Sequence, residues 1–233
     1  MHLKRALIGA AGVLLLVCVW QVGAQVSTAD TAMKVIQARK SNAALMQQFT
    51  WNSRTELLHD GKVRDIRIDL VQYGPDGRLQ RTLLNDQGSH HLPIGFLRRA
   101  IAKGKKKQTE QYLKGLRNLL DQYTLPTSEK VLAFMDSADV ELTQAPDGTT
   151  LLRMSGSDVV VPGDTLSIWV NASTHEMRKA QITTTYEGDE TNATSTFKTL
   201  AVSGLTFMSM AEVAVPAKKM TLQVHNFDYE QND

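Results

Sequence analysis

The sequence predicts an α+β protein built on one antiparallel β-sheet of about nine to eleven strands, with helices covering one face. Residues 151–229 consist of strand after strand, each closed by turn residues. Apolar and polar residues alternate along most of these strands, so each strand has one apolar face that must be buried. Helical spacing at 30–45 and within 95–138 supplies the segments that can bury it.

The first residues have the pattern of a secretory signal peptide. A basic start precedes the apolar run 6–20, which is short for a membrane span, and small residues ending at Ala24 form a cleavage site. We therefore predict a signal peptide over 1–24 and a single domain over 25–233, in a periplasmic or secreted protein. Retention of the apolar run as an uncleaved anchor is the alternative.

The composition after cleavage excludes some classes of protein. Loss of Lys4 and Arg5 reduces 26 basic residues to 24, against 24 acidic residues, so the mature chain is neutral. It therefore lacks the excess of positive charge that is typical of nucleic-acid-binding proteins. The only cysteine, Cys18, is lost as well. An exported chain without disulfides must be held together by its hydrophobic core, and about 209 residues are enough for one.

The mature chain begins with a helix. Ser27 to Asp30 resembles a capping box, and Ala32, Val35, Ile36 and Ala43 follow at helical spacing. A helix over about 30–45 is too short to be stable alone, so we expect it to pack on the sheet.

Three antiparallel strands come next, at about 49–57, 63–73 and 79–84, separated by Asp-Gly and Pro-Asp-Gly turns. In the first strand the apolar positions share one face. In the second strand the same pattern places Ile66, Ile68 and Leu70 on the buried face. Their neighbours Asp65, Arg67 and Asp69 are then expected on a solvated face with cross-strand ion pairs.

Residues 95–124 are a basic amphipathic segment with a net charge of +6 on a neutral protein. It is interpreted either as a helical cover with a solvated basic face or as a docking surface for an anionic membrane or an acidic envelope protein. The residues of this basic docking surface are Arg98, Arg99, Lys103, Lys105, Lys106 and Lys107.

A second helix is predicted after Pro126, capped by Thr127 or Ser128 and ending near Ala138. Val140 to Thr143 leads into the long run of strands. The predicted strands of that run are Leu151–Val160, Thr165–Asn171, Met177–Tyr186, Asn192–Leu200, Leu205–Ala214 and Lys218–Tyr229.

No catalytic or cofactor motif is present in the sequence. It has no Gly-x-Ser-x-Gly elbow, no His-Glu-x-x-His and no phosphate-binding loop. The histidines are isolated, apart from the adjacent pair His90 and His91, whereas a metal site needs three or four converging ligands. We therefore predict no enzyme activity, no cofactor and no metal.

The order of elements and several short runs resemble a known family. The runs are Leu166–Val170, Arg178–Ile182, Glu187-Gly188 and Asn226–Tyr229. They are similar to the LolA-like half-barrels of the cell envelope, which include the outer-membrane lipoprotein carrier, its receptor and an envelope-stress regulator. The resemblance implies a strongly curved sheet around an apolar cavity for acyl chains, with helices over its concave face. The wall residues that it implies are Phe49, Trp51, Ile66, Ile68, Leu70, Leu166, Ile168, Ile182 and Phe207.

Three hypotheses about function follow. The first is a periplasmic, non-enzymatic binding protein for a lipid, an acyl chain or a lipoprotein. The alternative is a protein-interaction or sensing component of the cell envelope, with a self-filled core and the basic segment as its docking surface. An enzyme ranks third, and a cleft that brings His90 or His175 near a carboxylate would raise that rank.

Overall fold

The computed structural model describes residues 28–86, 108–109, 111–125 and 127–232. The predicted signal peptide and the basic docking surface, Arg98 to Lys107, lie outside these residues. The helices are α1 (Thr28–Met46), α2 (111–120, continued by a 3-10 turn, Asp121–Thr124) and α3 (Ser128–Ser137). The strands are β1 (Phe49–His59), β2 (Lys62–Tyr73), β3 (Leu79–Asp86), β4 (Asp139–Gln144), β5 (Thr150–Ser157), β6 (Thr165–Asn171), β7 (Met177–Tyr186), β8 (Asp189–Thr199), β9 (Thr206–Val215) and β10 (Met220–Gln231).

All ten strands form one antiparallel sheet in the order β3-β2-β1-β10-β9-β8-β7-β6-β5-β4. The pairing of β1 with β10 joins the first three strands to the C-terminal run. The two edges are β3 and β4. Helices α2 and α3 come between these two strands in sequence. The predicted α+β class, with a curved antiparallel sheet and helices on one face, is confirmed.

The main core lies between the helices and the β5–β6 part of the sheet. Ala32, Val35 and Ile36 of α1 are buried at helical spacing, as the sequence predicts. Phe134 of α3 contacts the backbone of β5, where a Cβ on Gly156 would lie 2.9 Å from the ring. Helix α3 begins at the predicted cap, because Thr127 Oγ1 accepts a hydrogen bond from the Lys130 N–H. A second, smaller cluster packs α2 on β9 and β10 through Tyr112, Leu116, Val215 and Met220.

The face prediction for β2 is wrong. Trp51 of β1 is paired with Val71, and Ser53 is paired with Asp69, so Val71 and Asp69 share the helix-covered face with Trp51. Both are buried, Asp69 being 2% exposed. Ile66, Ile68 and Leu70 therefore lie on the opposite face. The reason is that Asp69 forms ion pairs with Arg67 and Arg81. Because its charge is neutralised, this aspartate can be buried on the inner face, where the sequence pattern predicts an apolar residue.

Candidate functional site

A cavity of about 540 Å³ lies between the inner face of the sheet, helix α1 and the C-terminal end of α2. This volume is within the range of small-molecule sites, roughly 300–1,000 Å³. Most of its lining is apolar. The lining residues are Ala38, Arg39, Asn42, Ala43, Met46, Tyr73, Leu120, Asp121, Tyr123, Thr124, Leu166, Ile168, His175, Glu176, Met177, Ala180, Ile182, Ala193, Ser195, Phe197, Thr206, Met208 and Val213.

The cavity exists because small side chains face each other across the gap between helix and sheet. Ala38 and Ala43 are on α1, and Ala180, Ala193 and Ser195 are on β7 and β8. Leucine or phenylalanine at such positions would fill the space, since protein interiors are normally close-packed. The sheet therefore leaves room under α1.

Helix α1 is fixed over the cavity by two polar side chains. The Asn42 amide donates a 2.7 Å hydrogen bond to the Thr206 carbonyl and accepts a 2.8 Å bond from the Thr206 N–H, as a neighbouring strand would. The Arg39 guanidinium donates to the carbonyls of Thr124 and Leu125, at 2.8 and 3.1 Å. Burial lowers the pKa of Arg39. These contacts connect α1 to the start of β9 and to the end of α2.

The end of α2 is fixed to the sheet by a buried tyrosine. The Tyr123 hydroxyl lies 2.6 Å from Asp164 Oδ2 and 2.8 Å from Thr184 Oγ1. Asp164 also accepts hydrogen bonds from three consecutive backbone N–H groups, those of residues 159–161. Burial alone would raise the pKa of Asp164, but the hydrogen bonds from Tyr123 and the backbone outweigh it, so this pKa is lowered.

Two polar residues line the cavity at the turn between β6 and β7. His175 and Glu176 end the turn between β6 and β7, and both line the cavity. Burial lowers the pKa of His175, and the positive charge of Lys34 lowers it further, so the imidazole is neutral at pH 7. Glu176 Oε2 accepts a 3.4 Å hydrogen bond from Thr199.

The structure brings together three of the residues predicted as cavity wall: Leu166, Ile168 and Ile182. Phe49 is buried but does not line the cavity. Ile66, Ile68 and Leu70 are on the opposite face of β2 and do not line it either.

Trp51 and Phe207 belong to an aromatic cluster beside the cavity. The Trp51 ring stacks on Tyr229 at 5.3 Å between centroids, and Phe207 contacts Tyr229 at 4.2 Å. Trp51 also contacts Tyr73 at 6.2 Å. Of these rings only Tyr73 lines the cavity, so the cluster fills the part of the inner face near β1 and β10 with the protein's own side chains.

Several lining residues were missed by sequence reasoning. The alanines of α1, β7 and β8 were missed because large apolar residues were expected in the wall, whereas a cavity needs small ones beside them. The signal was present, since Ala180 and Ile182 are neighbours on one strand face. Arg39 and Asn42 carried no such signal, because exposed and buried polar residues of a helix look alike in sequence.

The described part of the chain contains no group of three or more His, Cys, Asp and Glu residues that could hold a metal ion. His175 lies at the cavity, whereas His90 and His91 lie outside the described residues. None of the helices in the described ranges is long and apolar enough to cross a membrane.

Comparison with known proteins gave similarity to solved structures only. No family model matches the chain, and no curated protein matches it. A DUF1329 family protein from Desulfovibrio piger is 10% identical, with a TM-score of 0.39, covering 88% of this chain and 92% of that chain. A LolA superfamily protein from Nitrosomonas europaea is 12% identical, with a TM-score of 0.35, covering 87% of this chain and 94% of that chain.

A third solved structure is described as a putative outer membrane lipoprotein-sorting protein domain from Vibrio parahaemolyticus. It is 8% identical, with a TM-score of 0.38, and the match covers 87% of this chain and 93% of that chain. The superfamily named among these structures is the one that the sequence resembles. At such identities and TM-scores the similarity carries no argument about function, which therefore rests on the geometry of the cavity.

Proposed function

We propose that the chain is an exported, non-enzymatic binding protein for a lipid, an acyl chain or a lipoprotein, and that it works in the periplasm. The observation that carries this proposal is the apolar cavity of about 540 Å³ between the sheet and helices α1 and α2. A guest chain inside it gains about 25 cal/mol for each Å² of apolar surface removed from water.

The lining supports a chain-like guest over a reacting substrate. Most of the wall is made of Ala, Leu, Ile, Met, Val, Phe and Tyr side chains, and polar residues from α1, the end of α2 and the β6–β7 turn complete it. His175 and Glu176 are among these polar groups, and Glu176 accepts a hydrogen bond from Thr199. This arrangement gives affinity through burial of an apolar chain.

A second candidate function has an observation of its own. The aromatic cluster of Trp51, Tyr73, Phe207 and Tyr229 fills part of the inner face with the protein's own side chains. If the protein's own side chains exclude every ligand from the inner face, the chain is a protein-interaction or sensing component of the cell envelope. Its basic residues from Arg98 to Lys107 would then be the docking surface for an acidic partner or an anionic membrane.

The test is extraction of the native protein. The chain is purified from the cell envelope under non-denaturing conditions, extracted with organic solvent, and the extract is analysed by lipid mass spectrometry. The proposal predicts an acyl-chain compound in stoichiometric amount. An empty protein that also fails to take up lipid when exposed to it would overturn the proposal. A protein partner whose capture survives delipidation and is lost when Lys105, Lys106 and Lys107 become alanine would favour the second candidate.

A further inference from the structure

A buried carboxylate on the inner face of the sheet is paired with two arginines. Asp69 is 2% exposed, and its two oxygens lie 2.9 and 2.8 Å from Arg67 Nε. Arg81 Nη1 lies 3.7 Å from the same carboxylate and 3.5 Å from Ser53 Oγ. One buried negative charge therefore faces two guanidinium groups, and positive charge is in excess on this part of the face.

A third arginine approaches from helix α2. Burial lowers the pKa of Arg81, and the charges of Arg117 and Arg67 lower it further, while Asp69 opposes them. Arg81 and Arg117 belong to different elements, β3 and α2. The partner of Arg117 is Asp121, at 3.8 Å on the exposed surface of the helix. Together Arg67, Arg81 and Arg117 exceed Asp69 and Asp121 by one positive charge.

Arg81 and Arg117 do not line the cavity, but each is near a residue that does, through strand pairing or along the helix. Tyr73 lines the cavity and pairs with Leu79, and Val71 pairs with Arg81, so Arg81 is two residues along β3 from the cavity rim. Two residues of strand span about 7 Å. On the other wall Leu120 and Asp121 line the cavity, and Arg117 is one helical turn away, about 5 Å along the axis.

We infer that the guest is an amphiphile with an anionic, phosphate-type headgroup, whose chain fills the cavity while its headgroup is bound by Arg81 and Arg117. This inference rests on the proposed function and names the class of ligand. A guanidinium presents forked N–H donors that match the oxygens of a phosphate. An anionic headgroup at this place would balance the positive charge of the arginines that Asp69 does not neutralise. The alkyl chain and the headgroup of the ligand would be held by different side chains, so their contributions to the binding affinity can be measured separately.

The experiment compares ligands that share a chain and differ in charge. A fluorescent apolar probe is bound to the purified mature chain and displaced with hexadecyl phosphate, with hexadecanol and with inorganic phosphate. The inference predicts that hexadecyl phosphate displaces the probe at about tenfold lower concentration than hexadecanol. Inorganic phosphate is predicted to leave the probe in place.

Arginine variants then locate the headgroup. Arg81→Gln is expected to remove most of the preference for hexadecyl phosphate over hexadecanol. Because Arg81 also neutralises Asp69, Arg117→Gln is the second variant, which leaves both ion pairs of Asp69 intact and is expected to reduce the preference about threefold. Arg78→Gln is the matched control, because Arg78 is in the turn before β3 with 86% of its side chain exposed.

The outcomes separate this inference from the proposed function. Equal binding of hexadecyl phosphate and hexadecanol would overturn the inference and leave a carrier of neutral chains. Displacement by inorganic phosphate as effective as by hexadecyl phosphate would also overturn it, because the arginines would then bind a free anion without a chain. Failure of both chain ligands to displace the probe would overturn the proposed function and this inference with it.

Discussion

The hydroxyl group of Tyr123 lies 2.6 Å from Asp164 Oδ2, and this bond connects the end of helix α2 to the turn before β6. Both side chains are buried, at 3% and 1% exposure. The two residues are 41 positions apart in sequence, and their hydrogen bond joins helix α2, which covers the cavity, to the sheet beneath it. The stability of the cover therefore depends on a polar contact as well as on apolar packing.

Removal of that hydroxyl should loosen α2. Tyr123→Phe keeps the ring but leaves Thr184 Oγ1 and one lone pair of Asp164 without their partner. We expect a loss of about 1–2 kcal/mol in the free energy of unfolding by urea, with faster amide exchange in α2. Tyr112→Phe is the control, because its 3.3 Å bond to Asp189 is longer, and a loss below about 1 kcal/mol is expected. Equal losses for the two variants would contradict the account.

The lowered pKa of Asp164 predicts a pH dependence. A carboxylate whose pKa is lower in the folded state stabilises that state above its unfolded pKa, about 3.9, and this contribution is lost as the pH falls through the folded pKa. Asp164→Asn should therefore destabilise the protein at pH 7, with a smaller difference from wild type at pH values below about 4. Urea unfolding across this range measures it. Asp136→Asn, at an exposed position of α3, is the control for the loss of one carboxylate charge.

Gly115 allows α2 to contact the sheet closely. A Cβ at this position would collide with the Tyr186 hydroxyl. Gly115→Ala should lower stability, although alanine favours an exposed helix by about 1 kcal/mol over glycine. In the background of Tyr186→Ala the same substitution should become neutral or stabilising, which a double-mutant cycle measures. A destabilisation that is the same in both backgrounds would show that the two residues do not compete for space.

The bonds between Asn42 and Thr206 hold α1 over the cavity. Asn42→Ala leaves the N–H and carbonyl of Thr206 without these partners, at a cost of about 2 kcal/mol. We expect faster dissociation of an apolar probe as well, measured by stopped-flow dilution. Gln37→Ala, at an exposed position of the same helix, is the control and should leave both quantities unchanged. An unchanged dissociation rate in Asn42→Ala would mean that α1 does not control access.

Much of the fold could be predicted because strand patterning and turn chemistry are local. The bounds of β6 and β7 were predicted as Thr165–Asn171 and Met177–Tyr186 and are observed as such. The turn glycines Gly61, Gly77 and Gly148 have positive φ values of 70°, 71° and 82°, as Asp-Gly and Pro-Asp-Gly turns require.

The face of β2 could not be predicted in the same way, because alternation does not say which face is inside. Asp69 is buried through arginines that come from its own strand and from β3, a pairing that depends on the three-dimensional register. The cavity was predicted as a class of site, but most of its wall was not, because empty space depends on the small residues Ala38, Ala180 and Ala193 facing one another.

The central claim is that the cavity under α1 holds an acyl chain. The most direct measurement is a fluorescence titration of the mature wild-type chain, Ala180→Trp and Gln181→Trp with a fatty acid carrying an environment-sensitive fluorophore. Ala180 lines the cavity, whereas Gln181 is the next residue of β7 and points to the opposite, exposed face. The account predicts that Ala180→Trp abolishes binding while Gln181→Trp binds as wild type does. Equal binding by all three proteins would contradict it.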